Sequence, residues 1–154
     1  METILDIIRG FRAVDGEALR LDGAGDGPFA AVDPRKLRIE AAAGASAQVV
    51  VLHTAPEMSV REVELAEGAQ RERTERLTTV QLSSANASYR IDLDGADAEN
   101  ELGGVFLAAG EEHCVLKLHT AHNAADCRSN SYVKGVAGGQ AVGEFCGMVY
   151  VAPD

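Results

Sequence analysis

The sequence has no tryptophan, and only 5% of its 154 residues are aromatic. Its core must therefore be built from Val, Leu, Ile and Ala, because the large rings that dominate many cores are scarce. This composition favours thin, regularly stacked layers over one bulky core. An excess of positive charge is also missing, since the net charge is −10. We therefore expect neither nucleic acid nor a membrane surface as a partner, because both require a cationic face.

The sequence also lacks the features of secreted and membrane proteins. Its three cysteines, Cys114, Cys127 and Cys146, are an odd number and form no CxxC pair, so reduced thiols are expected rather than a disulfide framework. A basic segment followed by a long apolar run is missing at the N-terminus, and no apolar run reaches the roughly 20 residues that a membrane span needs. These features predict a cytoplasmic protein, and the length predicts a single domain.

A unit of glycine followed by a short strand recurs from Leu37 onward. The units begin at Gly44, Gly68, Gly95, Gly110 and Gly139. They lead into strands predicted over Gln48–Thr54, Arg73–Val80, Gly104–Ala108, Cys114–Thr120 and Glu144–Val151. Most starts lie some two dozen residues apart, which is about the length of one coil of a solenoid or one hairpin of a meander. The pattern predicts an all-β chain of stacked coils, a β-helix, with a β-sandwich as the competing architecture.

The boundaries follow from the same pattern. Residues 37–154 are predicted to form the β-helix core, and residues 1–36 a lead-in rich in Gly and Asp. A short N-terminal helix is predicted over Glu2–Phe11, where Ile4, Ile7, Ile8 and Phe11 have helical spacing.

Burial is predicted from the local pattern of apolar residues. Val49–Leu52 and Val149–Val151 are continuous apolar runs, typical of strands that are buried on both faces. Cys146 lies beside the second run and is predicted to be in the core. By contrast, Val60–Leu65 and Tyr89–Asp94 alternate, so one face of each strand should meet water. The pair Lys134-Gly135 is interpreted as the end of a strand.

A possible metal site is the strongest local candidate for chemistry. His119, His122 and Cys127 supply imidazole and thiolate, which suit zinc, iron or copper. On a strand, however, His119 and His122 would lie on opposite faces, so one ion would need a turn between them. A nucleophilic Cys127 with either histidine, oriented by Asp126, is a further alternative. The ordinary interpretation is two surface histidines and an inert buried thiol.

The C-terminal third resembles a known family. It contains Cys127-x-Ser129, then the run Tyr132–Val136, and then a Gly-rich turn before a final strand. That strand has the pattern Phe145-x-Gly147-x-Val149-x-Val151. Order and spacing are similar to the core signature of the SufB/SufD iron–sulfur cluster assembly proteins. The resemblance covers about residues 37–154 and is weaker upstream.

The resemblance implies a right-handed parallel β-helix and a non-catalytic scaffold. We therefore assign no catalytic, cofactor-binding or metal-binding residue. It also implies SufB-like and SufC-like partners, with an iron–sulfur cluster built on the assembled complex. The sulfur-accepting cysteine of SufB would fall at Ile91, which carries no thiol, so the SufD-like subunit is favoured.

The resemblance also indicates where this chain departs from the family. Family members continue beyond Val151 into strands and helices that this sequence lacks, so a C-terminal truncation is expected. The open end of the β-helix would then be covered by a mate, including an identical copy in a homo-oligomer.

Overall fold

A computed structural model describes residues 6, 8–23, 25–55, 60–68, 74–82 and 84–153. All regular elements of this described part are β-strands. They are β1 (Arg12–Ala13), β2 (Ala18–Leu21), β3 (Asp26–Val32), β4 (Lys36–Ala41), β5 (Ala47–His53), β6 (Val60–Glu67), β7 (Thr74–Leu82), β8 (Asn86–Leu93), β9 (Glu99–Ala108), β10 (His113–His122), β11 (Arg128–Ala137) and β12 (Val142–Val151).

The strands form two parallel sheets that are opposite faces of the same coils. One sheet has the order β1-β3-β5-β7-β9-β11 and the other β2-β4-β6-β8-β10-β12; we call them the odd sheet and the even sheet. Because successive strands alternate between the sheets and every pairing is parallel, the chain winds as a β-helix. A sandwich of antiparallel hairpins is excluded for these strands, and the predicted parallel β-helix is confirmed.

The core consists of ladders of aliphatic side chains stacked between the sheets. In the even sheet, Val63 of β6 is in register with Tyr89 of β8, and Tyr89 is in register with Leu118 of β10. These three side chains are buried. Strands β6 and β8 bury every second residue, as their alternation predicts, whereas the run Val49–Leu52 is buried on both faces. A coil therefore needs only a few small aliphatic side chains to fill its interior.

Corners between strands are made by residues that tolerate positive φ. Gly44, Gly110 and Gly139 have φ of 77°, 64° and 73°, and each lies at a predicted unit start. Asp97 and Asp126 turn the chain at two further corners with φ of 61° and 58°. Aspartate is one of the few side chains that adopt this conformation readily. The left-handed backbone conformation therefore recurs at the corners, whether the residue is Gly or Asp.

The lead-in contributes strands to the sheets. Within it, β3 pairs with β5, and Phe29 lies in register with Val49. Half of the residues of the helix predicted over Glu2–Phe11 lie outside the described part, so the helix stays a prediction. Among the described residues, no helix has the length and hydropathy of a membrane span.

The last coil differs from the others in exposure. The prediction that Val149–Val151 is buried on both faces is wrong, since Val149 is 64% and Val151 66% exposed. Both lie on the side of β12 that faces the interior, in register with Thr120 and His122 of β10. Their exposure arises because β12 has a strand neighbour on one side only.

Candidate functional site

One corner brings together two of the residues singled out from the sequence. His122 ends β10, and Cys127 immediately precedes β11, with Asp126 turning the chain between them. His122 Nε2 lies 2.8 Å from the hydroxyl oxygen of Ser129. Asn123 donates a hydrogen bond of 2.7 Å to the Asp94 carboxylate on the coil below. The corner is therefore built by hydrogen bonds between successive coils.

His119 does not belong to this corner. It lies on the opposite side of β10 from His122, and its register neighbours are Arg90 and Met148. No group of three or more His, Cys, Asp or Glu side chains in the described ranges is arranged to hold a metal ion. The metal site suggested for His119, His122 and Cys127 is therefore not favoured by the geometry, because one of its three ligands faces outward.

The thiol of Cys127 is surrounded by backbone carbonyl oxygens. Its Sγ lies 3.3 Å from the carbonyl oxygen of Gly95 and 3.8 Å from those of Leu93 and Ala125. A thiol can donate its proton to such acceptors. The Cys127 side chain is therefore held within the corner by the backbone of the coil below.

A cavity of about 310 Å³ opens at the same corner. Its lining residues are His122, Asn123, Ala124, Ala125, Asp126, Cys127, Val151, Ala152 and Pro153. His122 is the imidazole of this lining, and its Nε2 already contacts Ser129. The corner therefore looks like a structural junction with space for a small group, not a prearranged acid–base pair.

The other two cysteines lie in contrasting environments. Cys114 is fully buried, and its Sγ lies 3.5 Å from the side-chain oxygen of Gln81. Burial, with a smaller contribution from the negative charge of Glu112, raises the pKa of Cys114 to about 11. Cys146 was predicted to be in the core, but it is exposed on the outer side of β12, opposite Lys117. That prediction is wrong because the register of β12 directs Phe145 and Gly147, not Cys146, toward the interior.

A buried polar network crosses the interior two coils below. Tyr89 donates a hydrogen bond of 2.8 Å to Thr79, and His53 Nε2 lies 2.7 Å from the same phenolic oxygen. Burial lowers the pKa of His53 to about 4; Asp33 opposes this shift and Arg61 adds to it. The imidazole is therefore neutral near pH 7 and bridges the two sheets without a charge. No sequence pattern indicated this network.

Strand β11 contains the run Tyr132–Val136 and continues without a break to Ala137. The prediction that the strand ends at Lys134-Gly135 is therefore wrong. Val133 and Gly135 face inward, whereas Tyr132 and Lys134 face outward. A Cβ at Gly135 would overlap the ring of Phe106, which lies one coil below. Glycine is thus required at position 135 by packing and not by a turn, because the missing side chain leaves room for the Phe106 ring.

The parallel pairing of alternating strands and the positive-φ corners place the described part of this chain among the β-helix proteins. Residues 30–154 match the family model described as SUF system FeS cluster assembly, SufBD core domain. Since the match covers most of the 154 residues, the chain belongs to the SufBD core-domain family and takes part in SUF iron–sulfur cluster assembly. Searches of curated proteins and of solved structures gave no match.

Proposed function

We propose that this chain is a SufD-like, non-catalytic scaffold module of the SUF machinery, working in the cytoplasm with SufB-like and SufC-like proteins. The observation that carries the proposal is Ile91. This residue stands where the resemblance puts the sulfur-accepting cysteine of SufB, and it is 0% exposed in the centre of β8. A fully buried isoleucine offers sulfur neither a nucleophile nor access.

The thiols of the chain support the same proposal. Cys114 is buried and its raised pKa keeps it protonated near pH 7. The thiol of Cys127 donates toward the carbonyl oxygen of Gly95, at a Sγ to oxygen distance of 3.3 Å, and is therefore engaged within the fold. The iron–sulfur cluster is therefore cargo of the assembled complex in this proposal and not a resident group of this chain.

The exposed inner side of the last coil is a suitable contact for a SufB-like partner. Phe145 and Val149 lie there, in register with the buried residues Leu116 and Thr120 of β10. Their side chains continue the apolar ladders of the core, so a partner that covers them would gain roughly 25 cal/mol for each Å² of apolar surface removed from water.

Sulfur transfer and complex formation test the proposal together. The chain is incubated with a cysteine desulfurase and cysteine, with and without the SufB-like protein of the same genome, and persulfides are mapped by mass spectrometry. We expect persulfide on the SufB-like protein and none on this chain. Stoichiometric persulfide on Cys127 or Cys146 would overturn the scaffold role.

Complex formation is measured by size-exclusion chromatography with light scattering. We expect a heteromeric complex with the SufB-like protein, weakened by Phe145→Asp and unchanged by the matched outward variant Met148→Asp on the same strand. A homo-oligomer that persists in the presence of the SufB-like protein would contradict the proposed pairing.

A further inference from the structure

The two sheets differ in the chemistry of their outer faces. The even sheet carries exposed ion pairs along its strands. They join Arg38 to Glu40 at 2.8 Å and to Glu64 at 3.3 Å, and Arg90 to Asp92 at 2.8 Å. The charged groups of this face are paired with each other and hydrated by water. Binding a partner there would therefore contribute little free energy.

The outer side of the odd sheet at β7, β9 and β11 is polar toward the start of the strands, with Arg76 and Glu101, and carries aliphatic side chains toward their ends. One outward rung consists of Leu82, Leu107 and Val136, which are in register on the three strands. Leu107 is 45% and Val136 60% exposed. Exposed aliphatic side chains in a continuous row are typical of interaction sites and not of a solvated face.

A shallow groove of about 260 Å³ lies beside this row. Thr78, Gly103 and Tyr132 form one rung across it, and Val105 and Lys134 the next. Gly103 leaves the floor open, since a Cβ there would meet no atom within 4 Å. The Tyr132 ring, 62% exposed, forms one wall. We call these five residues together with Gly104 the outer groove.

The groove contains a cation without an opposite charge. Lys134 Nζ lies 5.4 Å from the centre of the Tyr132 ring, a cation–π arrangement that holds the ammonium over the wall of the groove. No carboxylate of the described residues forms an ion pair with Lys134, whereas Arg76 on the same face is paired with Glu101 at 2.9 Å. An apolar floor with one unpaired ammonium complements an apolar side chain that has a carboxylate beside it.

The alternation of the motif strand supports the same conclusion. The inward residues Val133 and Gly135 are explained by the core, because one packs against Gly104 and the other leaves room for Phe106. The outward residues Tyr132 and Lys134 contribute little to that core. Both side chains are instead available on the outer surface of β11.

We infer that the outer groove is a docking site for an amphipathic segment of another protein, which inserts an apolar side chain over Gly103 and places a carboxylate on Lys134. This inference goes beyond the scaffold role and does not depend on it. The net charge of −10 does not oppose it, because at physiological ionic strength charges more than about 8 Å away are largely screened.

A pair of designed helical peptides is the probe. Both carry the same leucine stripe and differ at one position beside it, which is Glu in one peptide and Lys in the other. The isotopically labelled full chain is titrated with each peptide, and amide chemical shifts are followed by NMR. We expect the Glu peptide to shift the amides of Gly103, Tyr132 and Lys134 and to bind about five-fold more tightly than the Lys peptide.

Charge reversal at the groove gives the decisive comparison. In Lys134→Glu the preference should invert, so that the Lys peptide binds more tightly. The matched control is Lys117→Glu, an exposed lysine on the outer side of β10 in the even sheet, which should leave the preference unchanged. Amide shifts far from the substituted residue verify that each variant is folded.

Several results would overturn the inference. They are equal binding of both peptides, an unchanged preference in Lys134→Glu, shifts confined to the inner side of β12, or no shift at millimolar peptide. Concentration-dependent shifts of the same amides without peptide would assign the groove to a second copy of this chain and reject the acidic partner.

Discussion

Gly135→Ala tests whether the packing of the last coils is as tight as the structure indicates. The ring of Phe106 packs against two glycines of the next coil, Gly135 of β11 and Gly143 of β12, and a Cβ on either would overlap it. The new methyl group must therefore displace the ring or bend β11, an overpacking that typically costs about 1–3 kcal/mol.

A matched control separates this clash from the general effect of replacing glycine. Gly103 lies in the adjacent strand β9, and a Cβ there would meet nothing within 4 Å. Gly103→Ala should therefore stabilise the chain by about 0.5–1 kcal/mol, because it removes conformational freedom from the unfolded state. The two variants should differ by about 1.5–4 kcal/mol, which corresponds to roughly 3–16 °C in melting temperature for a chain of this size.

Thermal melting followed by circular dichroism measures the difference, and amide hydrogen exchange locates it. Because a solenoid is stabilised coil by coil, we expect faster exchange in β11 and β12 than in β4 to β6 of the Gly135→Ala variant. Replacing Phe106 by Leu should remove most of the penalty. The reasoning is refuted if Gly135→Ala and Gly103→Ala have the same melting temperature. It is also refuted if Gly135→Ala destabilises the Phe106→Leu variant as much as it destabilises the wild type.

Two further predictions concern titratable groups. Because burial lowers the pKa of His53 from 6.5 to about 4, its neutral form stabilises the fold above pH 6.5, and this contribution of at most about 3 kcal/mol is lost as the pH falls toward 4. Urea unfolding across this range should show the loss in the wild type and in the outer-face control His119→Gln but not in His53→Gln; an identical slope in all three would rule out His53. In Ellman's assay, exposed Cys146 should react at once and buried Cys114 only at the rate of unfolding, and a single rate for all thiols would contradict their assigned environments.

Much of the fold could be predicted from local pattern. Positive φ at a corner favours glycine, so the recurrence of Gly44, Gly110 and Gly139 indicated regularly spaced corners between short strands. Alternation in β6 and β8 indicated which residues share a face. The arrangement of the candidate site was harder to predict from the sequence. The sequence could place His119 and His122 on opposite faces but could not show that Cys127 meets two carbonyl oxygens of the coil below, those of Leu93 and Gly95.

Local pattern in the sequence was enough to predict an all-β chain with an aliphatic interior and small-residue corners, because strand alternation and positive φ are properties of neighbouring residues. The parallel pairing of the strands, the side of each strand that faces the interior and the residue that lies above it follow from the three-dimensional arrangement of the coils. Gly135 makes room for a ring 29 positions earlier, and the apolar run ending at Val151 is exposed because none of the described strands stacks on the outer edge of β12. Both outcomes depend on the register between coils, which brings together residues far apart in the chain and is not encoded in any local pattern.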